Sequence, residues 1–205
     1  MDRPDVTMMY VVHEAFRRDL ARMQAAAAQA HKPAMHKALH DCWATFNQYL
    51  SVHHTAEDEM LWPPMRDRLS GRDLALLGEM VDEHSRLDPL LHDIDNALRQ
   101  AVPARLTDLF ADLADVLLGH FDHEETAALP LVQQTLSAHE WNAFGDDQRR
   151  RIGWRGAGWF FPWLLDDASA DVQDSVLALV PPPVRLVYRL IWEPQYRRRS
   201  PWRAE

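Results

Sequence analysis

The sequence predicts an all-α fold: an up-down-up-down four-helix bundle with a helical, Trp- and Pro-rich C-terminal extension. Three observations lead there. Apolar residues recur at three- and four-residue spacing through four long stretches, the period of helices that bury one face. The 205 residues include only 7 glycines, few for a turn-rich β protein. The breaks between stretches are short and carry residues that start helices, as antiparallel neighbours in a bundle require.

The first helix runs from Val6 to Ala30, with strong helix formers throughout VTMMYVVHEAFRRDLARMQAAAAQA. Pro33 suits a first helical turn and opens the second helix, which continues to LWPP, where Pro63 and Pro64 should end or kink it. Ser70, with Asp73 three residues on, is a candidate N-cap for a third helix that Pro89 should kink. Pro103 opens the fourth helix, which continues to Leu136. Ser137 and Glu140 form a capping-box pattern announcing a further short helix. Beyond it, six of the eight Trp fall in residues 140–205, with WFFPWLL, three prolines at 181–183 and a short helix VRLVYRLIW. Residues 1–139 are thus read as the bundle and 140–205 as an extension. Its aromatics are expected to pack over the bundle, with a partner or membrane-surface contact as the second reading.

Hydrophobic content of 47% with 26% charged residues is that of an ordinary globular protein. The net charge of -9 is uneven: residues 1–139 hold 12 basic and 22 acidic residues, residues 140–205 hold 10 and 9. The acidic body argues against nucleic acid. The final segment VRLVYRLIWEPQYRRRSPWRAE, with six Arg and two Glu, leaves room for a local partner. A single cysteine, Cys42, excludes an internal disulfide and a Cys-based zinc or iron-sulfur site, and fits a reducing compartment. The N-terminus has no cleavable apolar run, and GAGWFFPWLL is far below the ~18 residues that span a bilayer. A cytoplasmic protein without a transmembrane segment is expected; the oligomeric state is unknown from sequence.

Any metal must therefore sit on His and carboxylates. His53 and Glu57 lie four residues apart, about 40° round a helix, so one ion can touch both. The spacing returns at His120 and Glu124, and Pro130 follows His120 by ten residues as Pro63 follows His53. Each of these helices follows one with a histidine beside an acid: His13 in VVHEAF and His84 in DEHSRL. In an antiparallel hairpin, residues at one height are equidistant from the turn. The midpoint of His13 and His53 is Pro33, that of Glu57 and His84 falls at Ser70-Gly71, and that of His84 and His120 lies beside Pro103. His13, His53, Glu57, His84, His120 and Glu124 are thus expected in one layer. Four imidazoles and two carboxylates suffice for two first-row metal ions, with carboxylates able to bridge and to offset their charge. Neither HExxH nor Glu-x-x-His occurs, against a zinc protease or a ferritin-like site.

HEAFRRDL, HHTAEDEMLWP, DEHSRLD and HFDHEETAALP, across about residues 6–135, resemble the hemerythrin-like, or HHE cation-binding, family. The resemblance implies a four-helix bundle with a non-haem centre of two Fe ions, oxo- or hydroxo-bridged. It implies that His13 and His53 bind one iron, His84 and His120 the other, with Glu57 and Glu124 bridging. Oxygen-carrying members have a fifth histidine one turn after the third-helix histidine, where this chain has Asp88, followed by Pro89. That departure makes Asp88 a candidate ligand. It weighs against reversible oxygen carriage and towards oxygen, peroxide or nitric oxide chemistry at a more open iron.

Other polar residues are weaker candidates. His54, about 100° from His53, is expected on another face. His123 and Tyr49 are candidates for supporting hydrogen bonds, although a core tyrosine is the commoner case. Glu125 is an alternative bridge, and Asp58 and Glu59 read as a solvated face. The function expected is a sensor, scavenger or peroxide-removing protein for O2, peroxide or nitric oxide, an oxidoreductase if it turns over. The alternative is a non-catalytic iron-responsive module that presents its tail to a partner or membrane surface.

Overall fold

The computed structural model describes residues 3–200 and Trp202. Among them there is no strand. Four long helices, α1 (Thr7–Ala27), α2 (Pro33–Ala56), α4 (Gly71–Arg99) and α5 (Pro103–His123), are accompanied by short helices α3 (Trp62–Arg66) and α6 (Leu129–Thr135). Helix α1 packs on α2 and α5, and α4 packs on α2 and α5. Each long helix thus has two neighbours in a closed ring, compatible with the expected up-down-up-down order.

The helix boundaries follow the expected turns with local differences. Pro33 and Pro103 stand in the first turns of α2 and α5. Ser70 occupies the N-cap position of α4, but its hydroxyl makes no capping bond. The expected stop at Pro63-Pro64 is not a stop. The chain stays helical through a π turn, Glu57–Leu61, and into α3. The same device recurs at Glu124–Ala128 before Pro130 and at Tyr188–Trp192 before Pro194. In each, the residue before the proline donates to the carbonyl five residues back: Trp62 to Glu57, Leu129 to Glu124, Glu193 to Tyr188. A proline within a helix has no N–H and its ring clashes with the carbonyl four residues back. Widening the helix by one residue relieves the clash.

Ser137 and Glu140 form both bonds of the capping box. The helix they start, α7 (Ala138–Leu164), is long rather than short, and broken at Gly153, whose φ of 68° glycine adopts without strain. Helices α8 (Ala170–Ala178), α9 (Pro182–Val187) and α10 (Glu193–Arg199) complete the extension. Trp163, Leu164, Leu165, Val176, Leu177, Tyr188 and Tyr196 join the same apolar cluster as Phe16, Phe46 and Phe110 of the bundle. Polar bonds tie them down. Trp163 Nε1 donates to buried Asp19 at 2.7 Å, and Arg18 donates to the carbonyls of Trp163 and Asp166.

Two apolar cores result, and the predicted ligands lie where one gives way to the other along the chain. On α1 the second core takes Met9 and the first takes Phe16; on α4 they take Met80 and Leu87. On α2 Leu50 lies in the first core and Leu61 beyond it in the second; on the α5 side these are Leu117 and Ala128. His13, His84, His53 and His120 occupy the gap. No helix among the described residues is long and apolar enough to cross a membrane.

Candidate metal centre

His13 comes from α1, His53 and His54 from α2, His84 from α4 and His120 from α5, while Glu57 and Glu124 each open a π turn. All seven are buried, with Glu57 and Glu124 fully inaccessible. Their donor atoms form two groups, His13, His53, Glu57 and Glu124 in one, and His54, Glu57, His84 and His120 in the other, each within 4.8 Å of one another. Glu57 belongs to both. Its Oε1 lies 3.1 Å from His53 Nε2 and its Oε2 3.4 Å from His84 Nε2. Glu124 Oε2 lies 3.2 Å from His13 Nε2 and 4.0 Å from His120 Nε2.

These approaches leave lone pairs unanswered. Both carboxylate oxygens of Glu57 and of Glu124, and the Nε2 atoms of His54, His84 and His120, make no hydrogen bond although fully buried. Buried polar atoms are otherwise almost always paired, and leaving so many unpaired is costly. Donors of this type converging on common points are what a cation would satisfy. The residues present therefore fit a metal.

The opposite nitrogens of three rings are held by carboxylates. His13 Nδ1 donates to Glu125 at 2.8 Å, His84 Nδ1 to Asp58 at 3.0 Å and His120 Nδ1 to Glu83 at 2.9 Å. Such bonds fix the ring tautomer with Nε2 turned inward. Glu83 also accepts from His123 Nδ1 at 2.8 Å, and Arg17 donates to Glu125 at 2.7 Å. Against the pull of burial, His13 and Arg17 hold Glu125 down to about 2.

Without metal, protons stand in for cations. Burial opposes charge on His13, but Glu124, Glu125 and Glu57 outweigh it and raise the ring to about 9. Asp58 and Glu57 likewise overcome burial to raise His84 to about 10. Burial, then the Glu124 charge, lifts Glu57 to about 8. His53 and His54 are driven well below the usual imidazole value, first by burial and then by neighbouring rings.

The layer thus gathers all six residues that the sequence spacing placed in it. Asp88 is outside it, exposed and in neither group. The buried stripe of α4 runs through Met80, His84 and Leu87, leaving Asp88 on its flank. Tyr49 is buried against Phe160 and Trp163, not among the histidines, with burial raising its hydroxyl well above the usual range. His123 reaches the layer through Glu83. Three residues with weaker expectations lie at the layer: His54, expected on another face, joins a group directly, while Asp58, expected in solvent, and Glu125, an alternative bridge, orient histidine rings. Their signal lay in the doublets His53-His54, Glu57-Asp58 and Glu124-Glu125. A helix in a bundle faces two neighbours, and adjacent residues about 100° apart can aim one at each.

Fold and site define an all-α protein with a buried histidine-carboxylate centre suited to cations. The chain belongs to the hemerythrin HHE cation-binding domain family, whose family model matches residues 5–132. Comparison with curated proteins and with solved structures finds no match.

Proposed function

We propose that this chain is a non-haem di-iron protein that binds or reacts with small oxygen or nitrogen species, O2, peroxide or nitric oxide, as sensor, scavenger or peroxide-removing protein. The observation that carries the reading is Glu57, whose two oxygens reach into two separate donor groups. His13 and His53 would hold one ion, His84 and His120 the other, with Glu57 and Glu124 between them. Two iron ions held this way would supply redox equivalents and an exchangeable coordination position. The chain's own residues do the rest. Neutral imidazoles donate, the two carboxylates offset cationic charge, and Asp58, Glu83 and Glu125 keep the rings aimed. The hydrogen bonds from His120 through Glu83 to half-buried His123 offer protons a path between the layer and the surface. The bundle of residues 1–139 is the functional unit, covered by residues 140–205. The lone buried thiol of Cys42 fits a reducing cytoplasm.

Metal analysis joined to an absorption spectrum tests the reading. Protein from iron-supplemented cells should carry about two irons per chain, with a charge-transfer band that changes on adding O2, peroxide or nitric oxide. A chain recovered without metal under those conditions sinks the idea.

A second reading rests on the extension. Leu179, Leu186, Leu190 and Ile191 are exposed near Arg185 and Arg189, a composition suited to an anionic membrane surface. Co-sedimentation with anionic vesicles, compared between iron-loaded and iron-free protein, discriminates. Binding that follows iron supports an iron-responsive module, and no binding in either form removes that reading.

A further inference from the structure

The two halves of the centre repeat one another. His53, Glu57 and Asp58 on the α2 side correspond to His120, Glu124 and Glu125 on the α5 side. The correspondence extends to geometry, because Asp58 orients His84 as Glu125 orients His13. Beside the rings of the layer it fails at the residue after each first histidine, where buried His54 stands opposite buried Phe121.

Both occupy the same kind of slot. Phe121 stacks on His13 with ring centroids 4.2 Å apart and planes 17° from parallel. His54 stacks on His84 at 4.1 Å and 14°. One half fills the slot with a hydrocarbon ring, the other with an imidazole. Were stacking the whole purpose, the hydrocarbon would serve better, since His54 Nε2 is buried without a hydrogen-bond partner. The ring also stands edge-on to His120, with centroids 5.2 Å apart. A donor atom of His54 lies within 4.8 Å of one each from Glu57, His84 and His120.

We propose that His54 is a metal ligand, the third imidazole beside His84 and His120 on one of the two irons. The inference rests on the two-iron reading and deepens it. It makes the ions unequal. One would have three neutral nitrogens, from His54, His84 and His120, and the other two, from His13 and His53, with Glu57 and Glu124 shared between them. Ions with different numbers of imidazole donors would differ in potential. The third nitrogen comes from α2, one residue from His53, and not from the position of Asp88 on α4, which is exposed.

The test is His54→Phe, which copies the opposite half and keeps a ring on His84 while removing the nitrogens. Anaerobic titration of the full-length metal-free chain with ferrous iron, followed by Mössbauer spectroscopy, reads each ion separately. The parent should show two inequivalent irons. In His54→Phe one of the two binding events should weaken at least about tenfold, as expected for loss of a ligand or its support, while the other holds. The metal-free melting temperature of the variant should not fall, and His54→Gln should show the same loss, which separates ligation from ring packing. Two irons bound by His54→Phe with the parent's affinities and spectrum would overturn the role of His54 and leave the two-iron reading standing. A parent that takes up no iron removes both.

Discussion

His13 and His84 are raised above the ordinary imidazole range, so a cation bound there would have to displace protons, and the centre should respond to pH oppositely with and without metal. Both rings are raised above the ordinary imidazole value of 6.5, to about 9 and about 10. A group raised in the fold contributes stability that is complete below its unfolded value and lost as pH rises through the folded one. Glu57, raised from 4.5 to about 8, runs the same way. Above about pH 6.5 the metal-free protein should therefore melt at progressively lower temperature. Metal uptake should strengthen over the same range, because ligands must be deprotonated to bind. Melting curves and Co(II) titrations between about pH 6 and about pH 8.5 check both slopes, and a pH-independent affinity would exclude His13 and His84 as ligands. Asp58→Asn should lower metal affinity by about 10- to 100-fold with little change in the melting of metal-free protein, since it orients His84 from a half-buried position. The six residues of the layer were legible because four-residue spacing and hairpin midpoints depend only on helix geometry. Asp58, Glu125 and His54 were not, because a single helix gives no sign of which neighbour each face meets. Asp88 stands apart from the layer for the same reason: its spacing from His84 suits a ligand, but the packing of α4 leaves it exposed.

Each half of the centre begins a π turn at its glutamate and places a proline six residues later: Glu57 with Pro63, Glu124 with Pro130. The extra residue lets the glutamate keep the phase of the preceding histidine while Trp62 and Leu129 still reach the second core, where both are fully buried. An alanine at 63 restores the missing N–H and removes the ring clash, so a regular helix becomes available. Pro63 is exposed, and its replacement takes nothing from either core. With Trp62 and Met65 anchored, rewinding falls on Glu57 and Asp58. Pro63→Ala should keep or raise the melting temperature of metal-free protein yet weaken iron binding by about tenfold. Unchanged iron binding would mean that core packing, not proline, sets the turn. The prolines are visible in sequence, where they predict an end or a kink rather than a widened turn. Whether a helix ends or widens depends on whether residues beyond the proline have a core to enter, and here Trp62, Met65, Leu129 and Val132 do.

At the scale of the whole molecule, α7 runs alongside the centre rather than away from it. Phe144 near its start lies in the second core and Trp163 near its end in the first, while the helix packs on α1, α2 and the π turn that begins at Glu57. The change in composition after residue 139 was plain in the sequence. That the new segment shares the bundle's core was not, because Trp163 finds its place only through Asp19, Arg18 and Phe16, all more than a hundred residues earlier. A chain ending at residue 137 would uncover Phe16 and Tyr49 and lose Trp163, Leu164, Leu165, Val176, Leu177 and Tyr188. Each large side chain buried is worth about 1.5–3 kcal/mol, so the loss rivals the ~5–15 kcal/mol that holds a domain folded. The truncated chain should fail to melt cooperatively and should recover little iron. Trp163→Phe gives the graded comparison: it keeps an aromatic ring, gives up the bond to Asp19, and should cost about 1–3 kcal/mol in denaturant unfolding while retaining iron. A truncated chain that melts as sharply as the full one and binds iron equally would show that the extension stands apart energetically. The exposed apolar residues of its far end would then be free to serve a partner without disturbing the centre.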